Sequence, residues 1–81
     1  MNRETRLSGL IKRSFTLAGH RTSIALEQEF WDALLRLAQV RGQSLSALIA
    51  AADAARSPGS QLASALRVLA LLSADERSQS G

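Results

Sequence analysis

The sequence predicts a mostly α-helical chain carrying one short β-strand, and three observations support that prediction. The stretch "HRTSIALE", His20 to Glu27, alternates in polarity from Arg21 to Leu26, with Arg21, Ser23 and Ala25 on one side and Thr22, Ile24 and Leu26 on the other. That is the two-residue period of a strand. After Leu26 the apolar residues recur at helical spacing in two stretches parted by Gly42. A third, Leu-rich stretch follows the break at Pro58-Gly59.

Eighty-one residues make one domain at most, of a size that buries little core without a staple or a partner. The chain has no cysteine and one histidine, His20, so disulfides are excluded and neither a metal nor another cofactor is expected. No apolar run approaches the roughly 20 residues of a membrane span, and nothing resembles a secretory signal. A soluble, cytoplasmic protein without a membrane partner is the expectation. Hydrophobic content of 46% with 4% aromatic implies a core of Leu and Ala. An enzyme is not expected: no nucleophile–base pair and no phosphate-cradling glycine loop can be found.

Charge is uneven along the chain. The net charge is +3, yet Met1 to Arg21 holds Arg3, Arg6, Lys12, Arg13 and Arg21 against Glu4 alone. A basic N-terminal end points to a polyanion, nucleic acid first, with plain solubility as the competing explanation.

Taken in order, residues 1–13 show no period and predict an arm of marginal order. "SFTLAG", Ser14 to Gly19, is β-prone through Phe15 and Leu17; it either extends the strand or folds back as a hairpin around Ala18-Gly19, and the sequence leaves both open. Helix one begins after Leu26. Glu27, Glu29 and Asp32 crowd its first turn, where the helix dipole favours carboxylates. Phe30, Leu34, Leu37 and Ala38 form its apolar face. Trp31 sits at the edge of that face and is expected to pack under helix three. Gly42 supplies a left-handed cap after Arg41.

Ser44 is a good N-cap for helix two, Leu45 to Ala55, whose stripe is Leu45, Leu48, Ile49 and Ala52. Ser60 is expected to cap helix three, residues 60–72. Its face of Leu62, Leu66 and Leu69 is widened by Ala65, Val68 and Leu72, so cover on more than one side is expected. "SADERSQSG" reads as a frayed polar tail. The chain thus divides into a basic arm (1–19), a core (20–56) and a C-terminal helix with tail (57–81).

The order strand, helix, glycine turn, capped second helix, carried by "RTSIALEQEFWDALLRLAQVRGQSLSALI", resembles the ribbon-helix-helix family of DNA-binding proteins. Gly42-Gln43-Ser44 at the helix junction is the most specific feature. The longer block "RSFTLAGHRTSIALEQEFWDAL" is similar to a group of small bacterial members, in which a His-x-Thr-Ser strand precedes a Phe-Trp pair. The resemblance implies an intertwined homodimer, in which the lone strand pairs antiparallel with its copy on a second chain. That intermolecular two-stranded ribbon enters the major groove, which is wide enough to admit it. Thr22, Ile24, Leu26, Phe30, Leu34, Leu37, Leu45, Leu48 and Ile49 would form the dimer core.

Arg21, Ser23 and Ala25 would then face the bases. A guanidinium bonds guanine O6 and N7 together, a hydroxyl serves either kind of base pair, and Ala25 offers only a methyl where the family has a larger polar residue. The family also holds a phosphate at the start of helix two, here Ser44, Leu45 and Ser46. His20, Lys12 and Arg13 are the remaining candidates for phosphate contacts. The expected function is a dimeric transcriptional regulator, a repressor, acting on double-stranded DNA and able to assemble further along it. The alternative is an antitoxin or adaptor module whose helix 60–72 binds a protein partner. An obligate homodimer is expected in either case, because an unpaired strand and an apolar helix three both lack cover in one chain.

Overall fold

The computed structural model describes the backbone of residues 9–80 and the side chains of residues 9–74. Two antiparallel strands, β1 (Leu10–Leu17) and β2 (His20–Glu27), lead into three helices: α1 (Gln28–Val40), α2 (Leu45–Ala55) and α3 (Leu62–Ser80). The strand that seemed alone has a partner in its own chain. β1 pairs with β2 from Leu17↔His20 at the turn to Leu10↔Glu27 at the open end.

The hairpin closes in two residues. Ala18 and Gly19 both take positive φ, 52° and 83°, the pair of conformations whose twist matches that of the flanking strands. Glycine adopts this freely, whereas for Ala18 the left-handed region costs about 1–2 kcal/mol. Of the two readings open for residues 14–19, the hairpin is the one formed. One edge of β2 is therefore occupied by β1; the resemblance had placed the pairing strand on a second chain. The other edge of β2 carries no strand among the described residues.

Alternation assigns the faces. Leu17 of β1 and Ile24 and Leu26 of β2 point toward the helices and are buried, with Phe15 and Thr22 half-buried beside them. They meet Trp31, Leu34, Leu37 and Ala38 of α1, Leu48 and Ile49 of α2, and Leu66 and Ala70 of α3. Among the described residues no buried side chain is polar or charged.

The buried stripe of α1 is turned by one residue from its expected position. Trp31 is fully buried, while Phe30 is only half-buried, under the Arg67 guanidinium. β1 is the cause. Phe15 lies 5.9 Å from the Trp31 ring, and Trp31 Nε1 donates to the Ile11 carbonyl at 2.9 Å. Trp31 is thus packed beneath β1, where packing under helix three was expected.

The helix ends follow local chemistry. At the end of α1, Gly42 takes φ 68°; its N–H donates to Gln39 O and that of Gln43 to Ala38 O, at 3.1 and 2.9 Å. This is a Schellman closure. Ser44 caps α2, its hydroxyl accepting from the Ala47 N–H at 3.0 Å. Ser60 does not cap α3: its hydroxyl donates to the Ser57 carbonyl across the Pro58-Gly59 turn, and α3 begins at Leu62.

Two further expectations for α3 are corrected. It does not stop at residue 72, and "SADERSQSG" is not frayed from its first residue, because the helix runs to Ser80. Ala, Glu and Arg favour helix, and polarity alone does not end one. Within the single chain α3 is covered on one side only, as expected of a helix that lacks cover in one chain. Leu66 and Ala70 are buried, but Val68, Leu71 and Leu72 are 54%, 61% and 58% exposed.

Candidate nucleic-acid interface

The face of the hairpin turned away from the helices is built from both strands. Odd positions of β1 (Ile11, Arg13, Phe15, Leu17) share parity with the residues that pack inward. Lys12, Ser14 and Thr16 therefore point outward, opposite Ala25, Ser23 and Arg21 in the register. All are exposed except Ala25, which is half-buried. At the centre the Ser14 and Ser23 hydroxyls lie 3.4 Å apart. The face is a strip of hydroxyls with a cation on each strand.

A carboxylate stands at the base of this strip and is neutralised there. Glu27 Oε1 accepts from Arg67 Nε and Nη2 of α3, at 3.1 and 3.0 Å. Its own backbone N–H, and next the Arg67 guanidinium, hold the Glu27 carboxyl below the ordinary carboxylate range. The pair ties α3 to the junction of β2 and α1 and keeps uncompensated negative charge off the ribbon. The other ion pair among the described residues is Arg56–Asp53, so Lys12 and Arg21 remain available for an external anion.

The other sequence candidates fall in different places. The N–H groups of Leu45 and Ser46 open α2 beside the capping Ser44, where the first amides of a helix have no partner within it; Ser46 is exposed and Leu45 half-buried. His20 is exposed at the first position of β2, next to the turn. Arg13 is exposed but lies on the helix-facing parity, with its guanidinium 5.3 Å from the Trp31 ring centroid. The structure thus gathers Lys12 with Arg21, Ser23 and Ala25 and leaves Arg13 on the opposite side.

Sequence reasoning passed over Ser14 and Thr16. Their signal was present in the alternation of Ser14 and Thr16 with Phe15 and Leu17, but it meant nothing until β1 had a register. Of the nine residues expected in a dimer core, Ile24, Leu26, Leu34, Leu37, Leu48 and Ile49 are buried in the core of the single chain, Phe30 and Leu45 pack half-buried against it, and Thr22 is half-buried.

Away from the ribbon, a groove of about 380 Å³ runs between α2 and α3, lined by Ala52, Ala55, Ala65, Val68, Leu69 and Leu72 with Arg56. Among the described residues there is no cluster of metal-ligating side chains, and no helix long and apolar enough to cross a membrane.

A polar two-stranded ribbon over an α1–glycine–α2 unit is an arrangement with relatives. No curated protein matches the chain. A solved structure, an uncharacterized protein from Bordetella pertussis Tohama I, superposes with a TM-score of 0.75 at 28% identity, over 94% of this chain and 64% of that one. The chain thus spans a little under two thirds of that protein's length. Residues 10–74, which run from the start of β1 well into α3, match the family described as the ribbon-helix-helix domain. Its members are commonly DNA-binding transcription regulators or antitoxins, generally bind DNA as dimers, and are typically not enzymes. With its hairpin, Schellman turn and capped second helix in place, this chain belongs to the ribbon-helix-helix domain family.

Proposed function

We propose that the protein is a dimeric DNA-binding transcriptional regulator, a repressor acting in the bacterial cytoplasm, that lays its β-ribbon in the major groove. The observation that carries this reading is the composition of the ribbon's outer face: short hydrogen-bonding side chains, two unpaired cations and a single, neutralised carboxylate. A ribbon of this width enters the major groove, where base edges can be told apart. Arg21 reads guanine, Ser23 contacts either kind of base pair, and Ala25 meets a thymine methyl. The amides of Leu45 and Ser46, with the Ser44 hydroxyl, hold a phosphate at the positive end of α2. Lys12 and His20 supply cationic or polar contacts to the backbone, which fix position without reading sequence, while Arg13, turned toward Trp31, is not among them.

The second strand of the ribbon comes from the same chain, so the case for a dimer rests on the apolar surface of α3. Val68, Leu71 and Leu72 lie exposed there, and a second copy covers them. The same residues support the alternative reading, an antitoxin or adaptor that seats a protein partner in the α2–α3 groove. Co-purification of a stoichiometric partner that covers α3 would favour it.

The test is a salt-dependent titration against a selected preferred site and against random duplex. Arg21→Ala should weaken the preferred site by about 1–3 kcal/mol and random DNA far less. Equal losses on both would make Arg21 a phosphate contact and remove the reading role assigned to it.

A further inference from the structure

Resting on the DNA-binding reading above, we propose that Arg67 of α3 is a positioning residue for DNA binding: by holding Glu27 it keeps that carboxylate off Lys12 and leaves the Lys12 ammonium free for a phosphate.

The register sets up the competition. Leu10 lies opposite Glu27 and Lys12 opposite Ala25, so Lys12 and Glu27 are diagonal neighbours on the outward face of the two strands. Such neighbours stand about 7–8 Å apart, within reach of long side chains. Lys12 is exposed and makes no ion pair among the described residues. A Glu27 carboxylate without its own partner would close on Lys12, the cation of that face nearest to it in the register. Arg21 lies at the far end of β2, about 20 Å from Glu27 at about 3.4 Å per residue. That exceeds the Debye length of about 10 Å at about 0.1 M salt, so the effect falls on Lys12 and spares Arg21.

Arg67 removes the competitor. Its Nε and Nη2 both donate to Glu27 Oε1, at 3.1 and 3.0 Å, and its guanidinium lies 5.7 Å from the Phe30 ring centroid. The fork is thus fixed on two sides, by a charge and by a ring. The two side chains are 34% and 33% exposed, and ion pairs this exposed add little to stability. Where the charge is placed matters more. A carboxylate on the outward face is cancelled from a helix outside the ribbon, and Lys12 stays unclaimed. Opposite charges about 7–8 Å apart, at an effective dielectric constant between about 20 and about 80, shift an equilibrium by about threefold to fortyfold.

The test is a double-mutant cycle read by titration on a random-sequence duplex and on the selected preferred site. Arg67→Met keeps the side-chain stem over Phe30 and removes the charge; circular dichroism checks its fold. It should weaken both duplexes alike, by about tenfold, and flatten the salt slope by about 1 per chain as one phosphate contact is lost. Arg67→Gln carries the same expectations where Arg67→Met does not fold. Glu27→Gln/Arg67→Met, with neither charge, should return to within about twofold of the parent, and Arg67→Lys should recover most of the binding. In a Lys12→Met background, Arg67→Met should cost no more than about twofold.

A double variant as weak as Arg67→Met would make Arg67 itself a DNA contact and overturn the inference. So would a full second loss in the Lys12→Met background, or an Arg67→Met variant that binds as the parent does. In each of these cases the parent's DNA binding stands; a parent that binds neither duplex removes this inference together with the reading beneath it.

Discussion

Replacing Trp31 with phenylalanine is expected to destabilise the fold by about 2 kcal/mol, and with alanine by about 3–5 kcal/mol. Three contacts set these magnitudes. The indole N–H bond to the Ile11 carbonyl, 2.9 Å long, is worth about 1 kcal/mol net. The Arg13 guanidinium, 5.3 Å from the ring centroid, adds about 0.5–1 kcal/mol, part of which a phenyl ring retains. The remainder is packing, since Trp31 is fully buried and phenylalanine fills less of its space. Alanine also forfeits the Phe15 ring pair and leaves a cavity beneath β1. Trp31 is the single tryptophan, so the assay is urea unfolding followed by circular dichroism, with amide exchange of β1 read alongside. At about 4–8 °C per kcal/mol for a chain this small, Trp31→Phe should lower the Tm by about 8–16 °C. Exchange should speed up in β1 more than in α2. A loss under about 0.5 kcal/mol with unchanged β1 protection would refute the claim that α1 anchors the hairpin.

Four other outcomes follow from the structure. Ala18→Asn should raise stability by up to about 1 kcal/mol in the same unfolding assay, because asparagine tolerates the left-handed φ that alanine resists; a destabilised variant would contradict the turn. The Glu27 carboxyl lies below its ordinary value of 4.5, so its stabilisation is full above that pH and is lost as pH falls through the lowered folded-state value. Glu27→Gln should accordingly flatten the acid limb of a stability–pH profile. Ser46→Asp should leave the Tm unchanged or slightly raised, since an acid suits the first turn of α2, yet abolish most DNA binding by facing the bound phosphate; Ser46→Ala should do far less harm, and a tight-binding aspartate variant would place α2 away from the DNA. Val68→Glu with Leu72→Glu should convert a dimer into a folded monomer in equilibrium sedimentation, whereas an unchanged mass would move the dimer contact off α3.

The parts legible in the sequence are those fixed by contacts a few residues apart. The left-handed Gly42 and the Ser44 cap need only their own helix ends, and both formed as read. The alternation of Arg21 to Leu26 and the stripe of α2 likewise state their own period and their own buried side. Three other features depend on residues far apart in the chain, and there the sequence was silent or misleading. Ala18-Gly19 lacks the asparagine or aspartate that usually marks such a turn, so its strained φ is imposed by the pairing on either side of it. Phe30 and Trp31 are adjacent aromatics on α1, and what buries one rather than the other is the strand laid over Trp31, whose Ile11 carbonyl lies twenty residues away. The exposure of Val68, Leu71 and Leu72 reflects how little apolar surface one small chain has available to cover a third helix. The outer face of the ribbon divides the same way. The β2 half follows from local alternation, and the β1 half exists only once pairing sets Ser14 against Ser23 and Thr16 against Arg21, because a side chain's neighbour across a sheet is chosen by register and not by its own sequence.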